Sequence, residues 1–141
     1  MPATLPHIMI VTGAHLSAEV YDRPLAYRLQ AAILRALKDD EVTEPHRKAI
    51  VCSDVWYLNQ NNLRALPTIS IGGPSVNALT AYLASRLPSV LAIDNTMIIQ
   101  LDDRDCPVAT CWGIDASTTA AAIEAFEEKF LDHFLSGVNV S

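Results

Sequence analysis

Basic side chains are scarce in this chain: ten lysines and arginines stand against sixteen acids, a net charge of −6 over 141 residues. A non-specific nucleic-acid surface needs clustered Lys and Arg to neutralise phosphates, so no nucleic-acid partner is expected. Arg23, Arg28, Arg35 and Lys38 are spread around one predicted helix and form no block. Long apolar runs are missing too; none approaches the about 20 residues that span a bilayer, so no membrane partner is expected. Met1 to Leu5 has neither the basic start nor the apolar core of a signal peptide, which points to a cytoplasmic protein. Only three cysteines occur, Cys52, Cys106 and Cys111, with no C-x-x-C pair, which argues against a disulfide framework and against a zinc site. A Cys106–Cys111 bridge across a hairpin is conceivable, but idle thiols in a reducing compartment suit the pattern better. The four histidines, His7, His15, His46 and His133, show no metal-ligand spacing, so no metal site is expected.

What the chain does have is apolar substance. Half of its residues are hydrophobic and 18% are charged, with a mean hydropathy of +0.21. A chain of this length buries about 68% of its unfolded surface, enough for one domain over residues 1–141. The apolar surplus is more than such a core needs and points to a subunit interface, hence a homo-oligomer.

Hydrophobic periodicity gives the order of elements. His7 to Thr12 is a nearly continuous apolar run, as expected of a strand covered on both faces. A polar loop follows Gly13, then a helix from Asp22 to Lys38 with its stripe at Leu25, Leu29, Ala32, Ile33 and Ala36. Asp22 suits the N-cap of that helix. Asp39 to Lys48 reads as a charged connecting loop, Ala49 to Cys52 as a second strand, and Val55 to Leu66 as a short irregular helix. Thr68 to Ile71 is a third strand, with a helix from Pro74 to Leu87. Val90–Ile93 and Met97–Leu101 are separated by three residues, too few for a parallel crossover, so they are antiparallel if paired. Val108 to Trp112 is the last strand, and one helix from Asp115 or Ser117 to Gly137 closes the chain. Strands alternating with helices up to residue 87 predict a parallel sheet. The expected fold is therefore a three-layer α/β sandwich, Rossmann-like or flavodoxin-like, with an antiparallel hairpin at one edge.

In such sheets, ligands bind beyond the carboxyl ends of the parallel strands. The best candidate there is Ile69-Ser-Ile-Gly-Gly-Pro-Ser-Val-Asn77. Glycine permits a tight turn, and proline suits a first helical turn, so a ligand is expected against Gly72, Gly73, Ser75 and Asn77. The amides of Ser75 and Val76 and the Ser75 hydroxyl are expected to face an anion, and Asn77 to orient a polar group. The turn is neither a Walker A loop nor G-x-G-x-x-G. It resembles the Gly-Gly-Pro-x-x-Asn turn of some archaeal S-layer-type α/β segments, over Ile69–Asn77 alone, and that resemblance implies no role for any residue.

Asp22, Asp54, Asp94 and Asp115 fall near the same sheet edge. Asp22 and Asp115 have ready use as helix caps, which leaves Asp54 and Asp94 as polar partners of the ligand. No resident cofactor is expected, although paired carboxylates there could hold Mg²⁺ beside a phosphate. His15 could act as general acid or base but reads more simply as a solvated loop histidine. Arg23 could reach an anion, Trp56 and Tyr57 could stack on a ring, and Trp112 could anchor an interface. No nucleophile–base set follows from spacing, so the pattern does not decide whether the protein is an enzyme. Two functions emerge: a domain binding a small anion such as a nucleotide or sugar phosphate at Gly72-Gly73-Pro74, or an interaction module with no small-molecule ligand.

Overall fold

A computed structural model describes residues 7–38, 49–94, 96–104 and 106–138. The segment 39–48, expected to be a loop, lies outside the described residues. Strands β1 (Ile8–Thr12), β2 (Ala49–Ser53), β3 (Thr68–Ile71) and β6 (Val108–Gly113) are parallel. β5 (Met97–Asp102) runs antiparallel to β6 on one side and to β4 (Ser89–Ile93) on the other. The six strands form one mixed sheet in the order β2-β1-β3-β6-β5-β4, and with its helices the fold is α/β.

β1 and β3 sit in the middle of the parallel part and are buried along their whole length. Their neighbours are in register through Met9↔Thr68 and Ile10↔Ile69, so alternate residues of each strand enter two different cores. Ile8, Ile10, Ile69, Ile71 and Ile99 pack with α1 (Arg23–Lys38), α4 (Ala116–Lys129) and α5 (Leu131–Val138). Phe126 and Phe134 meet edge to face there at 5.9 Å, a favoured aromatic geometry. Met9 and Val11 pack instead with Tyr57 of α2 (Asp54–Leu58), with Leu63 of a 3₁₀ turn (Asn61–Ala65), and with Leu79 and Leu83 of α3 (Ala78–Leu83). Continuous apolar sequence in β1 is thus the consequence of two covered faces.

Three elements differ from the pattern. Residues Pro74 to Val76 form a turn, and α3 covers only six residues. The reason for the late start is Asn77, whose Oδ1 accepts from the amides of Leu79 and Thr80 and so caps the helix four residues later than expected. The final helix is two helices, interrupted at Phe130, where φ is −127°. Helical backbone after β1 begins before Asp22, at Leu16, and includes a π-helical turn, Ala18–Asp22, in which Arg23 N–H donates to Ala18 C=O. Asp22 is therefore not an N-cap; it lies inside a continuous helical segment. Asp115 is a cap, accepting from Thr118 N–H at 2.9 Å in a reciprocal box with the Thr118 hydroxyl.

All three cysteines are free thiols: Cys52 and Cys111 are buried and Cys106 is half-buried. Burial pushes the Cys52 thiol up to about 11 and Cys111 further still, so neither core thiol is primed as a nucleophile. Among the described residues no helix is long and apolar enough to cross a membrane.

Candidate functional site

A cleft of about 410 Å³ opens at the carboxyl ends of β1, β3 and β6. Three chain segments wall it. The helical turn after β1 contributes Ser17, Tyr21 and Asp22. The turn after β3 contributes Gly73 to Val76, and the passage from β6 into α4 contributes Trp112 to Ala116, with Thr119 behind.

Asp22 is the exceptional group in this wall. Its side chain belongs to a residue only 7% exposed, and its carboxylate has no hydrogen-bond partner among the described residues. Burial alone lifts its pKa from 3.8 to about 6, because removal from water penalises the charged form. Two local features put it there. The π turn widens the helix by one residue and turns residue 22 inward; such bulges recur at functional sites. Gly72 then supplies room: its φ is +106°, and a Cβ on it would lie 2.5 Å from Asp22 Oδ2. A side chain at 72 would both strain the backbone and displace the carboxylate.

The residues expected to hold an anion are arranged otherwise. Gly73 and Ser75 line the cleft, and the Ser75 amide has no acceptor among the described residues. Val76 and Asn77 amides, however, both donate to Gly73 C=O, at 3.1 and 2.9 Å. Asn77 is buried and donates from its side chain to Val11 and Ile71 C=O, which ties the ends of β1 and β3 together. Asp54 accepts from the Ala14 amide at 3.1 Å, the Val55 amide at 2.7 Å and the Ala78 amide at 2.7 Å. The first amides of α3 are thus consumed by Asp54 and Asn77, and both residues join loops instead of lining the cleft.

Asp94 is exposed in the β4–β5 hairpin turn and borders a second cleft of about 360 Å³ with Ile93, Met97 and Ile98. Trp112 and Ile114 border both clefts. The Trp112 ring lies against Gly73, where a Cβ would approach its Cε3 to 3.1 Å, and its buried indole N–H has no acceptor among the described residues. His15 Nδ1 lies 3.1 Å from Ser17 Oγ and accepts from the Ser17 amide at 3.3 Å, in an exposed local turn. Arg23 turns away from Asp22 toward Glu19, at 3.5 Å, and toward the Tyr27 ring. Trp56 is exposed beside Cys52 in a separate recess, and Tyr57 is a core residue bonded to Thr68. Among the described residues, no group of three or more His, Cys, Asp or Glu could hold a metal ion. The sequence pattern puts Asp22 at this edge but assigns it to a helix cap, and it does not single out Tyr21 or Thr119. The signal was weak because Leu16 to Tyr21 carries no apolar stripe to announce a helix.

The two aspartates favoured by sequence are expected to behave differently on truncation. Asp54→Ala leaves the part-buried amides of Ala14 and Ala78 without this acceptor and should lower stability by about 2 kcal/mol in urea unfolding. Asp94→Ala removes an exposed turn residue and should change it by less than about 0.5 kcal/mol.

No protein-family model matches this chain, and no curated protein matches its sequence.

Proposed function

We propose that this protein binds a small polar molecule in the strand-end cleft, and that the ligand places a hydrogen-bond-donating or cationic group against Asp22. The single observation carrying this reading is the carboxylate of a residue only 7% exposed, with no hydrogen-bond partner among the described residues, in the wall of an open cleft. A buried charge without a partner is costly, and sites where that cost persists are enriched in function. The ligand supplies the missing donor. We further read the fold as doubly wound in the Rossmann-like or flavodoxin-like sense. β2 and β3 flank β1 on opposite sides, which makes the crevice between β1 and β3 a topological switch point. The cleft lies at that crevice.

An anion is the weaker ligand class. The described cleft lining offers carboxylates at Asp22 and Asp115 and no basic side chain. A nucleotide or sugar phosphate would therefore need Mg²⁺ between its phosphate and Asp22, with the Ser75 amide as a minor donor.

A thermal-shift panel tests the choice. Amines, amino acids and nucleosides form one arm, and nucleotides and sugar phosphates with and without Mg²⁺ form the other. The first arm should give a saturable rise in Tm, about 6 °C at a hundredfold excess over Kd. The rise should be larger at pH 8 than at pH 5, because Asp22 ionises near 6. Stabilisation by phosphates alone, or by nothing in either arm, would overturn the proposal.

A further inference from the structure

The two edges of the sheet are treated differently. At the β2 edge, the Gln30 side chain donates to Ala49 C=O at 2.7 Å, and Ala49 and Cys52 are buried. At the β4 edge, Ser89, Val90, Ala92 and Ile93 are all exposed, and only Leu91 is half-buried. Val90 and Ile93 expose 40% and 44% of their surface. The strand Ser-Val-Leu-Ala-Ile carries no charge and no proline, two devices that discourage pairing at an open edge; its register against β5 shifts between Ser89 and Leu91. Its outer N–H and C=O groups have no partner strand among the described residues.

The charges flanking this edge are also uncompensated. Arg86, on the amino-terminal side, stacks on the Tyr82 ring at 4.0 Å and donates to Tyr82 C=O, with no acidic partner among the described residues. Asp94, on the carboxyl-terminal side, has no basic partner among the described residues. A cation before the strand and an anion after it are complementary to the same strand turned end for end.

We infer that β4 pairs antiparallel with β4 of a second copy of this chain, across a two-fold axis at Leu91, to form a continuous twelve-stranded sheet. In that register Leu91 faces its own copy, Val90 faces Ala92, and Asp94 faces Pro88. Asp94 of each subunit then lies beside Arg86 of the other, and symmetry makes the pairing occur twice. The isologous contact closes after two subunits and leaves the uncovered edges at the protected β2 strands. The strand-end cleft with Asp22 stays open in the dimer, so the association is independent of the ligand proposal.

Sedimentation of the full chain from about 1 to about 200 µM tests the pairing. The unsubstituted protein should move from monomer to dimer across this range. Arg86→Glu and Asp94→Arg should each raise the dissociation constant about tenfold or more, since each turns two attractions into two repulsions. The double variant, with both charges exchanged, should return it to within about threefold of the original. Val90→Lys, which desolvates a charge against the paired strand, should abolish the dimer while circular dichroism remains unchanged. A monomer throughout the range, single reversals without effect, or a double variant no tighter than its singles would each overturn the inference.

Discussion

Asp22→Asn is expected to stabilise the fold at pH 8 by about 2 kcal/mol while removing ligand binding. The pKa of Asp22 is 3.8 when exposed and about 6 in the folded chain. The native state therefore binds its proton more tightly, and stability falls as pH rises through the window from about 4 to about 6. Below that window the carboxyl is neutral in both states and contributes nothing. Above it, the buried charge costs about 3 kcal/mol, the rise from 3.8 to about 6 taken at 1.36 kcal/mol per pH unit. Asparagine is neutral throughout, so its profile should lack this step. It recovers most of the cost, less whatever its unpaired amide loses. Urea unfolding of both proteins at pH 4 and pH 8 measures the difference; equal profiles would mean that Asp22 is solvated or paired in solution. A substitution that strengthens the fold and weakens binding is the signature of a site maintained for function.

Gly13→Ala should have the largest effect in the opposite direction. Gly13 is buried where the chain leaves β1, and a Cβ there would lie 1.7 Å from Val76 C=O oxygen and 2.8 Å from its carbon. Both atoms are backbone in the turn after β3, and that turn is held by Asn77 and Asp54, so neither can yield without breaking those bonds. The expected loss is about 4 kcal/mol, or a fall in Tm of about 10 °C. The cleft should open as well, because the clash separates two of its three walls. Gly137→Ala is the control. A Cβ there meets only the Pro107 ring at 3.2 Å, a tight contact that the helix propensity of alanine offsets, leaving stability within about 1 kcal/mol. Differential scanning calorimetry of the two variants separates backbone collision from the general loss of a glycine.

How much of this was legible depends on the range of the interactions. Local pattern sufficed for β1, because two covered faces require unbroken apolar sequence. It also sufficed for the β4–β5 hairpin, because three residues cannot carry a parallel crossover. The Gly72-Gly73 turn at a strand end was legible for the same reason, since glycine at positive φ is a local requirement. The helix after it was not read correctly. Pro74 is compatible with a first turn, but Asn77 supplies a stronger cap, and nothing local ranks the two.

The candidate site was legible in position and obscure in chemistry. Asp54 looked like a free acid at a strand end, yet it is committed to amides 40 and 24 residues away in sequence, at Ala14 and Ala78. Asp22 looked like a cap, yet a π turn buries it against Gly72, fifty residues along the chain. Strand and helix content, the antiparallel edge and the strand-end turn follow from sequence alone, because short-range sterics and hydrophobic periodicity determine them. Which carboxylate is satisfied by hydrogen bonds and which is left bare in a cleft was decided only by tertiary structure. Desolvation and hydrogen bonding depend on groups brought together across the sheet, and no local spacing encodes them.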